Sequence, residues 1–321
     1  MKFFSLAFLT LSLLVPTTSL NAQTYPDRPI KIIVPYGPGG VDIQMRMAQP
    51  YLERLLGQSL IVENRPGAGA AMGTTAVRNA APDGYTLLFT GTSAISVVPQ
   101  MRKVQYKVED FVPIGNFTGT ALGVFVRANA PFKTLSEMIS YAKQNPGKIN
   151  MGSSGIGTTT HMVAESLQLA AGIRFTHIPY TGQAQIIGGV LNGSTDLTIG
   201  IPGSFIAQVK AGNMRAIAST GTVRSEFLPD VPTLKEHGID IVEETKFGLL
   251  APKGVSPAIV TKLQTALKTV IQGKEFSEKM QANYVTAVYL DSERFADALR
   301  QENDYWFSML KRPEFRSLVE N

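Results

Sequence analysis

Two glycine-rich turns hold the residues best suited to bind something. One is Pro35-Tyr36-Gly37-Pro38-Gly39-Gly40-Val41-Asp42, which follows the apolar run Ile30–Val34. The other is Gly152-Ser153-Ser154-Gly155-Ile156-Gly157-Thr158-Thr159-Thr160-His161, which precedes a helical pattern from Met162. A turn passing from a strand into a helix exposes backbone N–H groups at the positive end of the helix dipole, and glycine lets a ligand approach them. Such a pair offers capture of a small anion from two sides. Ser153, Ser154, Thr158 and Thr159 add hydroxyls that can rotate toward a carboxylate, and a hydrogen bond to a charged group contributes about 1.5–3 kcal/mol. As structure alone, the same residues are helix N-caps. Tyr36 either stacks on a ligand ring and offers its hydroxyl, or lines the space without contact.

Catalytic chemistry finds little in the chain. There is no Gly-x-Ser-x-Gly elbow, no His-Glu-x-x-His, no P-loop and no cysteine. His161 with Glu165 has the i,i+4 spacing of a metal pair. With three histidines in all and no third clustered ligand, a helix-start histidine is the better reading, and no metal is expected. His177 and His237 stand in unrelated contexts. Gly67-x-Gly69-x-x-x-Gly73 is an inexact echo of a dinucleotide loop, so no cofactor is expected.

The elements that must carry these turns alternate between strand and helix. Strands are expected at Ile30–Val34, Ser59–Glu63, Thr86–Thr90, Leu122–Val126, Ile149–Gly152, Thr176–Pro179, Asp196–Ile199, Met214–Ser219 and Phe247–Ala251. Helices are expected at Ile43–Leu56, with Pro50 as a kink or break, and at Leu135–Lys143, Met162–Ala171, Ala184–Asn192 and Ala207–Ala211. Pro257–Ile271 is strongly amphipathic, and its stripe Ile259, Leu263, Leu267, Val270 reads as core. Further helices are expected near Phe276–Asn283 and Ser292–Lys311. This rhythm predicts an α/β protein of two lobes, each a doubly wound sheet flanked by helices. The chain leaves lobe 1 (residues 23–124) near 124, builds lobe 2 (125–245), and returns to lobe 1 (246–321). Two crossings make a hinge with a cleft between the lobes.

Lys2 and the apolar run Phe3–Val15 read as an export signal, with cleavage after Ala22. The run is too short to span a membrane, and no later run is long enough. The absence of cysteine excludes disulfides and a lipoprotein anchor. A formal charge of +5 suits small anions. The Lys and Arg residues are scattered and form no basic stripe, which argues against nucleic acid.

A series of motifs then runs in order along most of the mature chain. It comprises Tyr25-Pro26-Asp27-Arg28-Pro29-Ile30, Val34-Pro35-Tyr36-Gly37-Pro38-Gly39-Gly40 and Val62-Glu63-Asn64-Arg65-Pro66-Gly67-Ala68-Gly69. It continues with Ala81-Pro82-Asp83-Gly84-Tyr85-Thr86-Leu87-Leu88, Gly152–Thr158 with His161, and Ile178-Pro179-Tyr180-Thr181-Gly182. It ends with Leu228-Pro229-Asp230-Val231-Pro232-Thr233 and Gly248-Leu249-Leu250-Ala251-Pro252. This set resembles the substrate-binding proteins of tripartite tricarboxylate transporters, the Bug-type periplasmic receptors.

The resemblance implies a type II periplasmic binding protein that closes on a small organic acid and presents it to membrane transporter subunits. It implies that the loop at 36–40, with Asp42, serves one lobe. Residues Ser153, Ser154, Gly155, Gly157, Thr158 and Thr159, with Tyr180, Thr181 and Gly182, serve the other. Asn64 and Arg65 either shape the cleft or the transporter-facing surface, or brace their own turn. Three departures from the family pattern stand out. One residue, Val41, separates Gly40 from Asp42 where the family has two. Gly200 stands where many members carry an Asp facing the cleft, which weakens any case for a ligand amino group and leaves more room. Thr181-Gly182-Gln183 replaces a basic-Gly-Gly or basic-Gly-small pattern, making that wall neutral. The expectation is therefore a non-enzymatic, monomeric carboxylate receptor of the periplasm. A periplasmic sensor and a periplasmic hydrolase are the alternatives.

Overall fold

The computed structural model describes residues 25–319. The export signal and its cleavage position lie outside the described residues. The chain runs β1 (Ile30–Val34), α1 (Gly40–Leu56), β2 (Leu60–Asn64), α2 (Ala71–Arg78), β3 (Thr86–Gly91), α3 (Ser93–Ser96), α4 (Val98–Met101) and β4 (Phe111–Ala121). It continues through β5 (Gly123–Arg127), α5 (Leu135–Gln144), β6 (Ile149–Ser153), α6 (Thr159–Ala171), β7 (Phe175–Pro179), α7 (Gln183–Asn192), β8 (Leu197–Gly200), α8 (Pro202–Lys210) and β9 (Met214–Ser219). It closes with β10 (Glu244–Pro252), α9 (Pro257–Ile271), α10 (Lys274–Ala282), β11 (Ala287–Leu290) and α11 (Ser292–Leu310).

Two sheets result. The six-stranded one has the order β11-β4-β10-β3-β1-β2, and the five-stranded one β7-β6-β8-β5-β9. Each is mixed. In the first, β1 pairs in parallel with β2 and β3, while β10 pairs antiparallel with β3 and β4. In the second, β6 pairs in parallel with β7 and β8, while β5 pairs antiparallel with β8 and β9. The parallel halves are the strands whose turns lead into α1, α6 and α7. A parallel strand must return by a helix, so its carboxyl end always opens on a helix N-terminus.

Continuous apolar runs form the parallel strands because both sheet faces are covered. Ile30, Ile32 and Val34 of β1 are buried, and one apolar cluster extends from them into Leu197 and Ile199 of β8. Helix α1 buries Met45, Ala48 and Leu52 and carries Pro50 within its length. Gly57 ends it in the left-handed conformation. Helix α9 begins with Ser256 capping and Pro257 in the first turn, and buries Leu263, Leu267 and Val270 of its expected stripe, while Ile259 is half-buried against the core. Fully burying one such side chain contributes about 1.5–3 kcal/mol.

The segment between β3 and β5 was not legible as strand. Strand β4 contains Pro113, Gly115 and Gly119, residues that ordinarily argue against a strand interior. Its partner β10 shifts register twice along it, and these irregularities accommodate the sequence. After β4, Leu122 alone separates the last residue of the first sheet from Gly123 of the second. The return connection lies beside it. Thr220 Oγ1 accepts from the Leu122 N–H at 2.8 Å and donates to the Glu243 carbonyl at 2.5 Å. One buried hydroxyl thereby ties both connections together.

Candidate functional site

The two sheets present their helix N-termini to a common cleft whose enclosed space is about 30 Å³. The six-stranded unit contributes Tyr36, Gly37, Gly39, Gly40, Val41, Gly91, Ser93, Thr245 and Phe247, and the connection adds Leu122. The five-stranded unit contributes Ser154, Thr158, Thr159, Thr160, Gly182, Gln183 and Ile201. None of these is Lys, Arg, His, Asp or Glu. The first-turn amides of a helix have no partner inside it, and two such sets, from α1 and α6, meet here. Tyr36 is buried, and its hydroxyl lies 3.2 Å from Thr90 Oγ1. Burial pushes its phenol above the ordinary range, so it remains a neutral hydroxyl.

The cleft is shut by direct bonds between the units. The Gly37 N–H donates to the Thr181 carbonyl at 2.9 Å. The Gly40 N–H donates to Gln183 Oε1 at 2.9 Å, and the Thr159 N–H to Ser93 Oγ at 3.1 Å. Beside the pocket, Gly155 packs on Gly69 so closely that a Cβ on Gly69 would lie 2.2 Å from the Ile156 carbonyl oxygen.

Of the residues singled out by sequence, the cleft brings together Tyr36, Gly37, Gly39, Gly40, Ser154, Thr158, Thr159 and Gly182. The others have different employment. Pro38 is exposed. Asp42 is turned into its own helix start, accepting from the Gly39 N–H at 2.6 Å and from Arg46 Nε at 3.0 Å. Ser153 is fully buried, its Oγ 2.6 Å from His177 Nε2 and accepting from the Gly155 N–H at 3.1 Å. A Cβ on Gly157 would lie 3.0 Å from Val98 Cγ2, so this glycine serves packing between the units. Tyr180 bonds Thr195 Oγ1 at 2.7 Å, and the Thr181 side chain turns to Gln185. Gly200 does not line the cleft. The room left by the missing Asp is filled, because a Cβ there would lie 2.4 Å from the Phe205 ring.

His177 proves not to be isolated. It stacks on His161 with ring centroids 4.2 Å apart. His161 Nδ1 accepts from the Gly157 N–H at 3.3 Å, which puts the proton on Nε2, 3.4 Å from Glu165. Burial, with the neighbouring His161, lowers the His177 pKa to about 4. Among the described residues no group of three or more His, Asp or Glu side chains is set to hold a metal ion, and no helix is long and apolar enough to cross a membrane.

Val41, Gly91, Ser93, Leu122, Thr160, Gln183, Ile201, Thr245 and Phe247 were missed as cleft residues. Gly91-Thr92-Ser93 carries the same strand-to-helix signal as the two longer turns and could have been found by it. Leu122, Thr245 and Phe247 come from the connections and from antiparallel β10, where no local pattern marks a site.

A cleft built from helix starts between two α/β units is the architecture of a solute-binding receptor, and the relatives are of that class. The family model described as the tripartite tricarboxylate transporter family receptor matches residues 44–313. A UPF0065 protein of Cupriavidus necator is 37% identical over 86% of this chain and 84% of its own. The structure of the periplasmic binding protein BugD superposes with a TM-score of 0.85 at 30% identity, covering 89% of this chain and 98% of that one. An R. palustris protein solved with adipate gives 0.85 at 25% identity, covering 89% and 97%. The chain belongs to the tripartite tricarboxylate transporter receptor family. It is a solute-binding protein of the Bug type.

Proposed function

We propose that this receptor captures a small carboxylate between the N-termini of α1 and α6 and delivers it to membrane transporter subunits. One observation carries the reading: a cleft free of ionisable acids and bases other than a buried tyrosine, into which two helix starts point. An anion held there is balanced by the partial positive charge of helix N–H groups, which do not titrate. The relative solved with adipate supports the ligand class. The contacts proposed are Tyr36, Gly37, Gly39, Gly40, Ser154, Thr158, Thr159 and Gly182.

The two lobes are proposed as residues 23–124 with 246–321, and 125–245; the strands sharing each sheet support this division, except that Gly123 and Val124 of β5 pair in the second sheet and Glu244 and Thr245 of β10 in the first. The protein is read as a periplasmic monomer freed of its first residues near Ala22, and as having no catalytic activity. The Ser153–His177 pair near the cleft supports that last point. Ser153 is buried away from the cleft, and His177, with a pKa near 4, is a weak base for activating it.

Calorimetry and thermal shift with a panel of carboxylic acids test the proposal. A ligand present at a hundred times its Kd stabilises the protein by about 2.7 kcal/mol, which a melting curve resolves. A clear shift with sugars and none with any carboxylate would reject the ligand class.

A further inference from the structure

The side chain of Gln183 does something that no glycine or alanine at that position could do. It is buried at the start of α7, reaches across the cleft, and places Oε1 2.9 Å from the Gly40 N–H and 2.5 Å from Ser204 Oγ. A backbone N–H can only donate, so the atom facing Gly40 must be the amide oxygen. That fixes which way the carboxamide is turned. Among the described residues its NH2 end, with two donors, makes no hydrogen bond, and Gln183 lines the cleft.

We infer that Gln183 sets ligand specificity, selecting acids with a single carboxylate, an apolar body and no ammonium group. The inference rests on the carboxylate reading given above. Gln183 Oε1 occupies the first N–H of α1, the position where an anionic oxygen of a longer diacid would sit. A second carboxylate must then displace the latch or lie against an amide oxygen. No side-chain cation lines the cleft to compensate it. The carboxylate that does bind meets the start of α6, where the Thr159 N–H must exchange Ser93 Oγ for it, and the donor end of Gln183. The apolar part of the wall is Tyr36, Val41, Leu122, Ile201 and Phe247, which suits hydrocarbon or an aromatic ring. No acidic side chain lines the cleft, and Phe205 closes the space at Gly200 where one could have stood. An ammonium group therefore has no carboxylate to offset its charge.

Matched pairs of acids test this by calorimetry: hexanoate against adipate, and benzoate against terephthalate. The wild-type protein is expected to bind at least one monoacid ten times more tightly than its diacid. Gln183→Gly frees the Gly40 N–H, and the ratio should move toward the diacid by about tenfold or more. Gln183→Glu places a carboxylate in the latch position, so it should lose binding of every acid while its melting temperature without ligand stays near that of wild type. A wild-type preference for the diacids, or a ratio unchanged in Gln183→Gly, overturns the role of Gln183 and leaves the carboxylate reading standing. Failure of every acid to bind, with another solute class binding, overturns both.

Discussion

The two glycine-rich turns look alike in sequence and do different work. In the turn from β1 to α1, Gly37, Gly39 and Gly40 all line the cleft, and the amides of Gly37 and Gly40 are directed at the opposite unit. In the turn from β6 to α6, Ser153, Gly155 and Gly157 are consumed by the turn itself and by packing on Gly69 and Val98. Only Ser154 and the threonines at the start of α6 reach the cleft. Glycine in the first turn lets a ligand or a partner side chain approach the backbone. Glycine in the second lets one backbone approach another.

The strongest test of that division is Gly40→Ala. Its Cβ would lie 2.3 Å from Ser204 Oγ and 2.7 Å from Gln183 Oε1, so both side chains must turn away from the Gly40 amide for the units to close. Ligand affinity should fall by about a hundredfold, equivalent to about 2.7 kcal/mol, with little change in the melting temperature of the free protein. Unchanged affinity by calorimetry would show that the first turn does not govern closure.

Gly69→Ala probes the packing role of the second turn from its opposite face. The new methyl would meet the Ile156 carbonyl, and Gly69 already has a φ of +62° that suits glycine. Affinity should drop by about tenfold, and stability by about 1 kcal/mol through backbone strain. A loss of affinity without any loss of stability would point to a direct ligand contact instead.

Ser153→Ala separates the two turns more finely. It removes the partner of the Gly155 N–H and of His177 Nε2, which should lower stability by about 1–2 kcal/mol while affinity stays within about threefold. If binding vanished and the melting curve did not move, Ser153 would touch the ligand after all.

The smallest effect is electrostatic. His177 has a folded-state pKa near 4, below its ordinary 6.5, because burial disfavours its charged form. Between those values the unfolded chain binds the extra proton. The contribution to stability is therefore complete above pH 6.5 and is lost as pH falls toward 4. Melting temperatures measured across that window should decline on acidification, and His177→Gln should flatten the slope. An equal slope in the variant would mean that other groups set the acid limit.

Local signals account for much of what was legible. The apolar runs of β1 and β6, the spacing of α9 and the Gly-Ser-Thr turns are read within a few residues, and helix α6 merely begins earlier than its apolar pattern suggests. Strand β4 was hidden because its proline and glycines are tolerated only through irregular pairing with β10, far away in sequence. The Asp42 carboxylate looked like a cleft residue from its place after the glycines. Its distance from Gly39 makes it a cap instead, because the side chain of the third helical residue reaches back to the N-cap amide.

The sequence by itself determined where helices start after strands, and hence that amide-rich turns exist at 35–40 and 152–160. That follows from periodicity and from the conformations that glycine and proline allow. Only the tertiary structure decided which of those amides remain free for a ligand. Those that face the other unit are claimed by groups distant along the chain, as Gly40 is by Gln183, Thr159 by Ser93 and Gly37 by Thr181. A hydrogen bond reaches about 3 Å, so partners brought within that reach by folding leave no mark on the residues next to them in sequence.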